Sequence, residues 1–153
     1  MKEYRLSSDD NLITLMRLEF LVETIPAQLR QYTAEEFSRV PAPGKWSRKQ
    51  IIGHLIDSAT NNHRRFVCAQ YEEFPQILYD QEAWNAFGYY QDMEGEDVIH
   101  FWEAYNRFLL QLVKRIPPSN LERECTMEDG STRSIAWLFD DYVRHLEHHL
   151  EQL

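Results

Sequence analysis

The chain has 153 residues, 43% of them hydrophobic and 13% aromatic, enough apolar material for one folded domain over residues 1–153 and too much for a disordered chain. A formal net charge of −9 argues against the clustered basic face that a nucleic-acid partner needs. No apolar run approaches the roughly 18 residues of a membrane span, Met1 to Arg5 lack an apolar signal core, and two cysteines make no disulfide framework, so a cytoplasmic protein with reduced thiols and no membrane partner is expected.

Four segments repeat their apolar residues at the helical period, and no strand alternation lasts more than a few residues. The first predicted helix runs from about Asp9 to Gln31, with Leu12, Leu15, Met16, Phe20, Ile25 and Leu29 as its apolar face. Ser7, Ser8 or Asp9 is its expected cap, and Pro26 is expected to kink or break it by removing an amide donor. After a loop at Pro41 to Gly44, the second helix starts at Ser47, where Ser47 and Gln50 fit a capping box and Trp46 a hydrophobic staple; it reaches about Tyr71. Residues 72–95 form a long aromatic connection. The third helix spans about Gly95 to Ile116 and stops at Pro117-Pro118; Val98, Trp102, Tyr105, Leu109, Leu112 and Ile116 form its face. A polar loop with Asp129-Gly130 leads to the fourth helix, capped by Ser134 and running almost to Leu153. This pattern predicts an all-α four-helix bundle.

Histidines constrain how the helices are connected. His145 and His149 stand four residues apart on the inward stripe of the fourth helix, with Ile135, Leu138 and Tyr142, so their imidazoles stack on one face. With His54 from the second helix they offer three nitrogens to a divalent metal, leaving a position for substrate or water. His54 lies near the start of its helix and His149 near the end of the fourth. They meet only if those helices are antiparallel; in a simple up-down-up-down order they would be on the order of 20 Å apart at 1.5 Å per residue. The order must therefore be up-down-down-up, with a long crossover between the second and third helices, and residues 72–95 supply it. The crossover returns to the end where the histidines meet, which predicts a small-molecule mouth there, near Lys45, Trp46, Trp84, Asn85, Tyr89 and Tyr90.

Pro43-Gly44-Lys45-Trp46-Ser47 and Gly53-His54-Leu55-Ile56-Asp57-Ser58, together with Asp80 to Tyr90 and Tyr142 to His149, resemble the DinB-like family, also known as the YfiT-like metal-dependent hydrolases. The resemblance covers about residues 10 to 152. It implies the same bundle, and a nickel, zinc or similar ion on His54, His145 and His149. It also implies chemistry with a low-molecular-weight thiol cosubstrate, since better-understood members are mycothiol-dependent isomerases and bacillithiol or glutathione S-transferases. A metal-dependent S-transferase or hydrolase is the enzyme reading; a non-catalytic metal- or ligand-binding stress protein is the alternative, and a homodimer is left open.

Other polar residues carry two readings each. Asp57 or Ser58, Asn61 and Arg65 continue the His54 stripe at steps of three and four, and polar groups on an inward face need a partner or a function. Asp57 could orient a histidine and Arg65 could clamp a substrate carboxylate, against an internal salt bridge to Glu19, Glu23 or Asp141. Trp84, Asn85, Tyr89 and Tyr90 either line a pocket or pin the crossover. His63, His100 and His148 are expected at the surface. Cys68 is expected to pack as a small apolar residue, and Cys125 to be exposed in its polar loop.

Overall fold

The computed structural model describes residues 8–153. In chain order it contains α1 (Ser8–Leu29), α2 (Ala34–Ser38), α3 (Arg48–Cys68), α4 (Gln81–Phe87), a 3-10 turn (Tyr90–Asp92), α5 (Gly95–Arg115), α6 (Pro118–Leu121), β1 (Glu124–Thr126), β2 (Thr132–Ser134) and α7 (Ile135–Leu150). The four long helices α1, α3, α5 and α7 are the four predicted from periodicity.

Local chemistry sets their ends. The Ser47 hydroxyl accepts from the Gln50 amide at 3.1 Å while the Gln50 side chain accepts from the Ser47 amide at 2.9 Å, closing the capping box of α3. Ser134 accepts from the Trp137 amide at 3.1 Å and starts α7. The α3 helix stops at Cys68, short of the expected Tyr71, in a tight turn. Of the cap candidates for α1, Ser7 lies outside the described residues, and the helix already includes Ser8 and Asp9.

Two expectations for α1 need correction. Of the kink or break expected at Pro26, the break does not occur: the helix continues to Leu29, with the Arg30 amide bonded to the Pro26 carbonyl. Pro26 is buried on the same side as Val22, Ile25 and Leu29, and that packing offsets one missing amide bond. The buried face is Leu15, Leu18, Val22, Ile25 and Leu29, whereas Leu12, Met16 and Phe20 are 56%, 61% and 64% exposed. Both sets are apolar at helical spacing, but steps of three and four centre the first set on one inward stripe.

Side-chain pairs give the helix directions. Phe66 near the end of α3 meets Phe139 and Tyr142 near the start of α7, while His54 meets His145 and His149 at the other end, so α3 and α7 are antiparallel. Lys49 reaches the Met93 carbonyl just before α5, and His63 meets Tyr105 and Phe108 further on, so α3 and α5 are parallel. Thr14 and Arg17 bond Asp140, Arg17 bonds Glu147, and Tyr32 reaches Leu153, so α1 and α7 are parallel. Arg30 pairs with Glu96, joining the end of α1 to the start of α5. The bundle is therefore up-down-down-up, with α1 and α3 each packed on α5 and α7.

Its core is built on Phe66, Trp102, Phe139 and Tyr142, all fully buried, and the Tyr142 hydroxyl donates to Asn106 Oδ1 at 2.5 Å. The crossover is not bare loop, since it holds α4 and the 3-10 turn. The Asp129-Gly130 loop is the tip of a hairpin in which Cys125 pairs with Arg133, and Gly130 supplies a φ of +83°. Cys125 is thus fully buried in β1, contrary to the expected exposure, and burial pushes its thiol up to about 11. No helix among the described residues is long and apolar enough to cross a membrane.

Candidate metal centre

His54 projects from α3 two turns after the Ser47 cap, and His145 and His149 project from successive turns of α7. The ring centroids are 5.0 Å (His54–His145), 4.7 Å (His54–His149) and 4.5 Å (His145–His149) apart. One ring nitrogen from each residue lies within 4.8 Å of the others. Trp46 closes one side, its ring 4.9 Å from that of His54. The Ser58 hydroxyl stands 3.5 Å from His145 Nδ1. His54 is 1% exposed, so solvent reaches the cluster past the half-buried His145 and His149.

Burial, with the mutual repulsion of the rings, pushes His54 and His145 down to about 4, and burial pushes His149 down as well. All three are therefore neutral at pH 7, the form that ligates metal. His54 Nε2 and His145 Nε2 are 3.2 Å apart, and His54 Nδ1 and His149 Nδ1 are buried without a protein partner. Two facing lone pairs are compatible only if one nitrogen is protonated or a cation is shared between them. A set of converging neutral nitrogens fits a borderline divalent ion such as zinc or nickel and does not suit calcium or magnesium.

The remaining candidates fall in three places. Asp57, 3% exposed, accepts from the Tyr90 hydroxyl at 2.5 Å rather than from a histidine, and its Oδ2 has no partner. Asn61 donates to the Asp57 carbonyl within α3. Arg65 donates to the Ile77 carbonyl at 2.6 Å and to Asn62; no carboxylate lies within ion-pair distance, so the expected internal salt bridge is absent among the described residues. Asn85 holds the crossover to the Gln50 carbonyl at 2.9 Å, and Tyr90 is buried with its ring on the bare backbone of Gly53. Those two side chains make the contacts that pin the crossover, the second of the two roles expected for them. Trp84 and Tyr89 remain exposed, and Trp84 meets Tyr79 at 5.6 Å. His100 and His148 are exposed as expected, while His63 is half-buried, with Nδ1 2.8 Å from the Tyr105 hydroxyl. Cys68 is half-buried. Tyr79 carries no signal in the sequence beyond its position just before the Asp80 cap of α4; it lies near Ser58, and burial pushes its hydroxyl up from the usual value.

Asp57 makes a pH prediction. Burial pushes its carboxyl up to about 6 from a usual value of 3.8. The folded state then binds a proton more tightly than the unfolded state, so this group's contribution is fully present below about 4 and is lost as pH rises through 6. The loss is on the order of 3 kcal/mol. His54 and His145 act in the opposite sense, costing stability as pH falls from 6.5 towards 4. Urea unfolding of metal-free protein should therefore show Asp57→Asn gaining on the parent between pH 4.5 and 7.5. Parallel pH profiles would refute a strained carboxylate at this position.

A family model described as the DinB superfamily matches residues 14–153. "Putative metal-dependent hydrolase OB0413" of Oceanobacillus iheyensis is 25% identical over 140 residues, covering 91% of this chain and 80% of that protein. Among solved structures, YfiT from Bacillus subtilis, which has an unusual four-helix bundle topology, matches with a TM-score of 0.83 at 22% identity, covering 98% of this chain and 87% of YfiT. A mycothiol-dependent maleylpyruvate isomerase matches with a TM-score of 0.77 at 18% identity; 94% of this chain covers 60% of that one.

Proposed function

This chain belongs to the DinB superfamily, and on that premise we propose that it is a cytoplasmic, metal-dependent enzyme acting on small molecules, of the thiol S-transferase or hydrolase type. The observation that carries the reading is the convergence of His54, His145 and His149, neutral at pH 7, with nitrogens within 4.8 Å of one another. These three residues would hold one zinc or nickel ion. The name of the Oceanobacillus relative supports metal dependence, and the mycothiol-dependent isomerase supports a low-molecular-weight thiol as cosubstrate. A bound divalent ion supplies Lewis acidity, which makes a thiol or water nucleophilic at neutral pH.

The chain's own residues supply the setting. Burial keeps the imidazoles unprotonated, and Trp46 excludes water from one side of His54. Ser58 lies within reach of His145 Nδ1 and can orient that ring. Asp57 is a buried carboxyl one turn after His54 on α3; one of its oxygens accepts from Tyr90 and the other has no protein partner. Among the described residues no carboxylate bonds the three imidazoles, which is also what the non-catalytic binding alternative would require.

Turnover separates the two. Zinc- or nickel-loaded protein and chelator-stripped protein are assayed with glutathione and bacillithiol against an alkylating electrophile, and with an activated ester. Metal-dependent turnover above the protein-free rate is expected with a thiol or with the ester. Inactivity in every combination, alongside stoichiometric metal retention, would favour the binding protein.

A further inference from the structure

A cleft of about 910 Å³ opens where the start of the crossover faces the β1–β2 hairpin and the first turn of α7, lined by Arg65, Tyr79, Arg133 and Trp137. None of the three clustered histidines lines it. The chain carries 25 acidic against 16 basic residues, so carboxylates are in excess. Arg17, Arg30, Arg39, Arg107 and Arg144 each sit within 4.0 Å of one. Arg65 and Arg133 do not, although both face the same cleft.

Arg65 is held rather than neutralised. Its guanidinium spans the Ile77 carbonyl and the Asn62 side chain, and its Nε is buried without a partner. A half-buried cation fixed on neutral acceptors keeps its full charge and part of its donor fork for an incoming group. Arg133 lies 5.1 Å over the Trp137 ring and donates only to the neighbouring Thr132 carbonyl. Three carboxylates also line the cleft, but two are engaged locally. Asp129 accepts from the Ser131 amide and hydroxyl, and Asp80 accepts from the Ala83 amide at the start of α4. Asp129 and Glu128 face the cleft beside Arg133, and Asp141 of α7 acts on Arg65 from the side, but none of them pairs with either guanidinium within 4.0 Å among the described residues.

We infer that this cleft binds a small aryl carboxylate, its carboxylate between Arg65 and Arg133 and its ring against Trp137 and Tyr79. The placement also deepens the enzyme reading, on which the next step rests. Arg65 lies eleven residues after His54 on α3, on the order of 16 Å along the helix. Tyr79 lies close enough to Ser58 to feel its hydroxyl, and Ser58 stands 3.5 Å from His145 Nδ1, so the cleft and the cluster share a wall. A substrate anchored at Arg65 would extend towards the histidines along the α3–α7 seam.

Calorimetry on chelator-stripped protein tests the binding without any metal. The probes are naphthoate, the neutral naphthamide and the cationic naphthylmethylammonium. Naphthoate should bind at least about tenfold more tightly than the amide, the size of one charge-assisted bond. Arg133→Gln, whose side chain bonds only its own hairpin, should remove that preference with helicity unchanged; Arg133→Lys should restore part of it. Equal binding of naphthoate and naphthamide, an unaltered preference in Arg133→Gln, or a preference for the ammonium probe would each overturn the inference. Carboxylate selectivity in a protein that shows no metal-dependent turnover would uphold the cleft and count against the enzyme reading alone.

Discussion

His54→Ala should leave the protein unable to retain zinc or nickel through dialysis, while the parent keeps a near-stoichiometric load. The substitution removes the only nitrogen that α3 contributes and leaves the i, i+4 pair of α7. Two imidazoles on one helix turn, half-open to solvent, are a weak site. Loss of an outer partner of a metal ligand costs roughly 10–100-fold in affinity, and loss of a ligand itself must exceed that. His148→Ala is the matched control, because His148 is exposed and its ring points to the Gln152 side chain. That variant should keep its metal, and His149→Ala should not. Metal analysis after gel filtration, with helicity followed by circular dichroism, reads all three. Stoichiometric metal in folded His54→Ala would sink the assignment, and loss in His148→Ala with retention in His149→Ala would move the third ligand by one residue.

The histidine geometry could be anticipated because two long-range facts were written in local spacing. The four-residue step from His145 to His149 put both rings on the stripe that Ile135, Leu138 and Tyr142 bury, and the position of His54 near its helix start then required antiparallel helices. A long segment at residues 72–95 agreed with that requirement. What stayed hidden depended on which of several equivalent surfaces meets which. On α1, Leu12, Met16 and Phe20 are as apolar as the residues that are buried, and the straighter stripe stepped by three and four is the one that packs on α5 and α7. The Asp57–Tyr90 bond joins residues 33 apart in sequence through a crossover whose path has no periodic signature. Arg133 and Trp137 could not be joined to Arg65 because the hairpin that presents Arg133 is three residues a side, too short to show as alternation. Cys125 was misplaced for the same reason.

Gly53→Ala should destabilise the protein, against the ordinary rule for a helix interior. Replacing a mid-helix glycine by alanine normally stabilises by about 0.5–1 kcal/mol, since alanine has less backbone freedom to lose. Gly53 is an exception because the Tyr90 ring occupies the space where its Cβ would stand. The ring cannot simply swing aside. Its hydroxyl is fixed on buried Asp57 one helical turn further along α3, and its edge also abuts Gly88 at the end of α4. The added methyl must therefore push the 3-10 turn off α3 or break the Tyr90–Asp57 bond, and overpacking of this kind costs about 1–3 kcal/mol. A double-mutant cycle isolates the cause. In a Tyr90→Ala background the methyl has room, and Gly53→Ala should there become neutral or stabilising, whatever Tyr90→Ala costs by itself. Urea midpoints at a fixed pH measure all four proteins. If Gly53→Ala stabilises the parent, or destabilises both backgrounds equally, Tyr90 does not pin the crossover through Gly53. Its ring would then be free to serve the ligand mouth that the sequence pattern assigns to it.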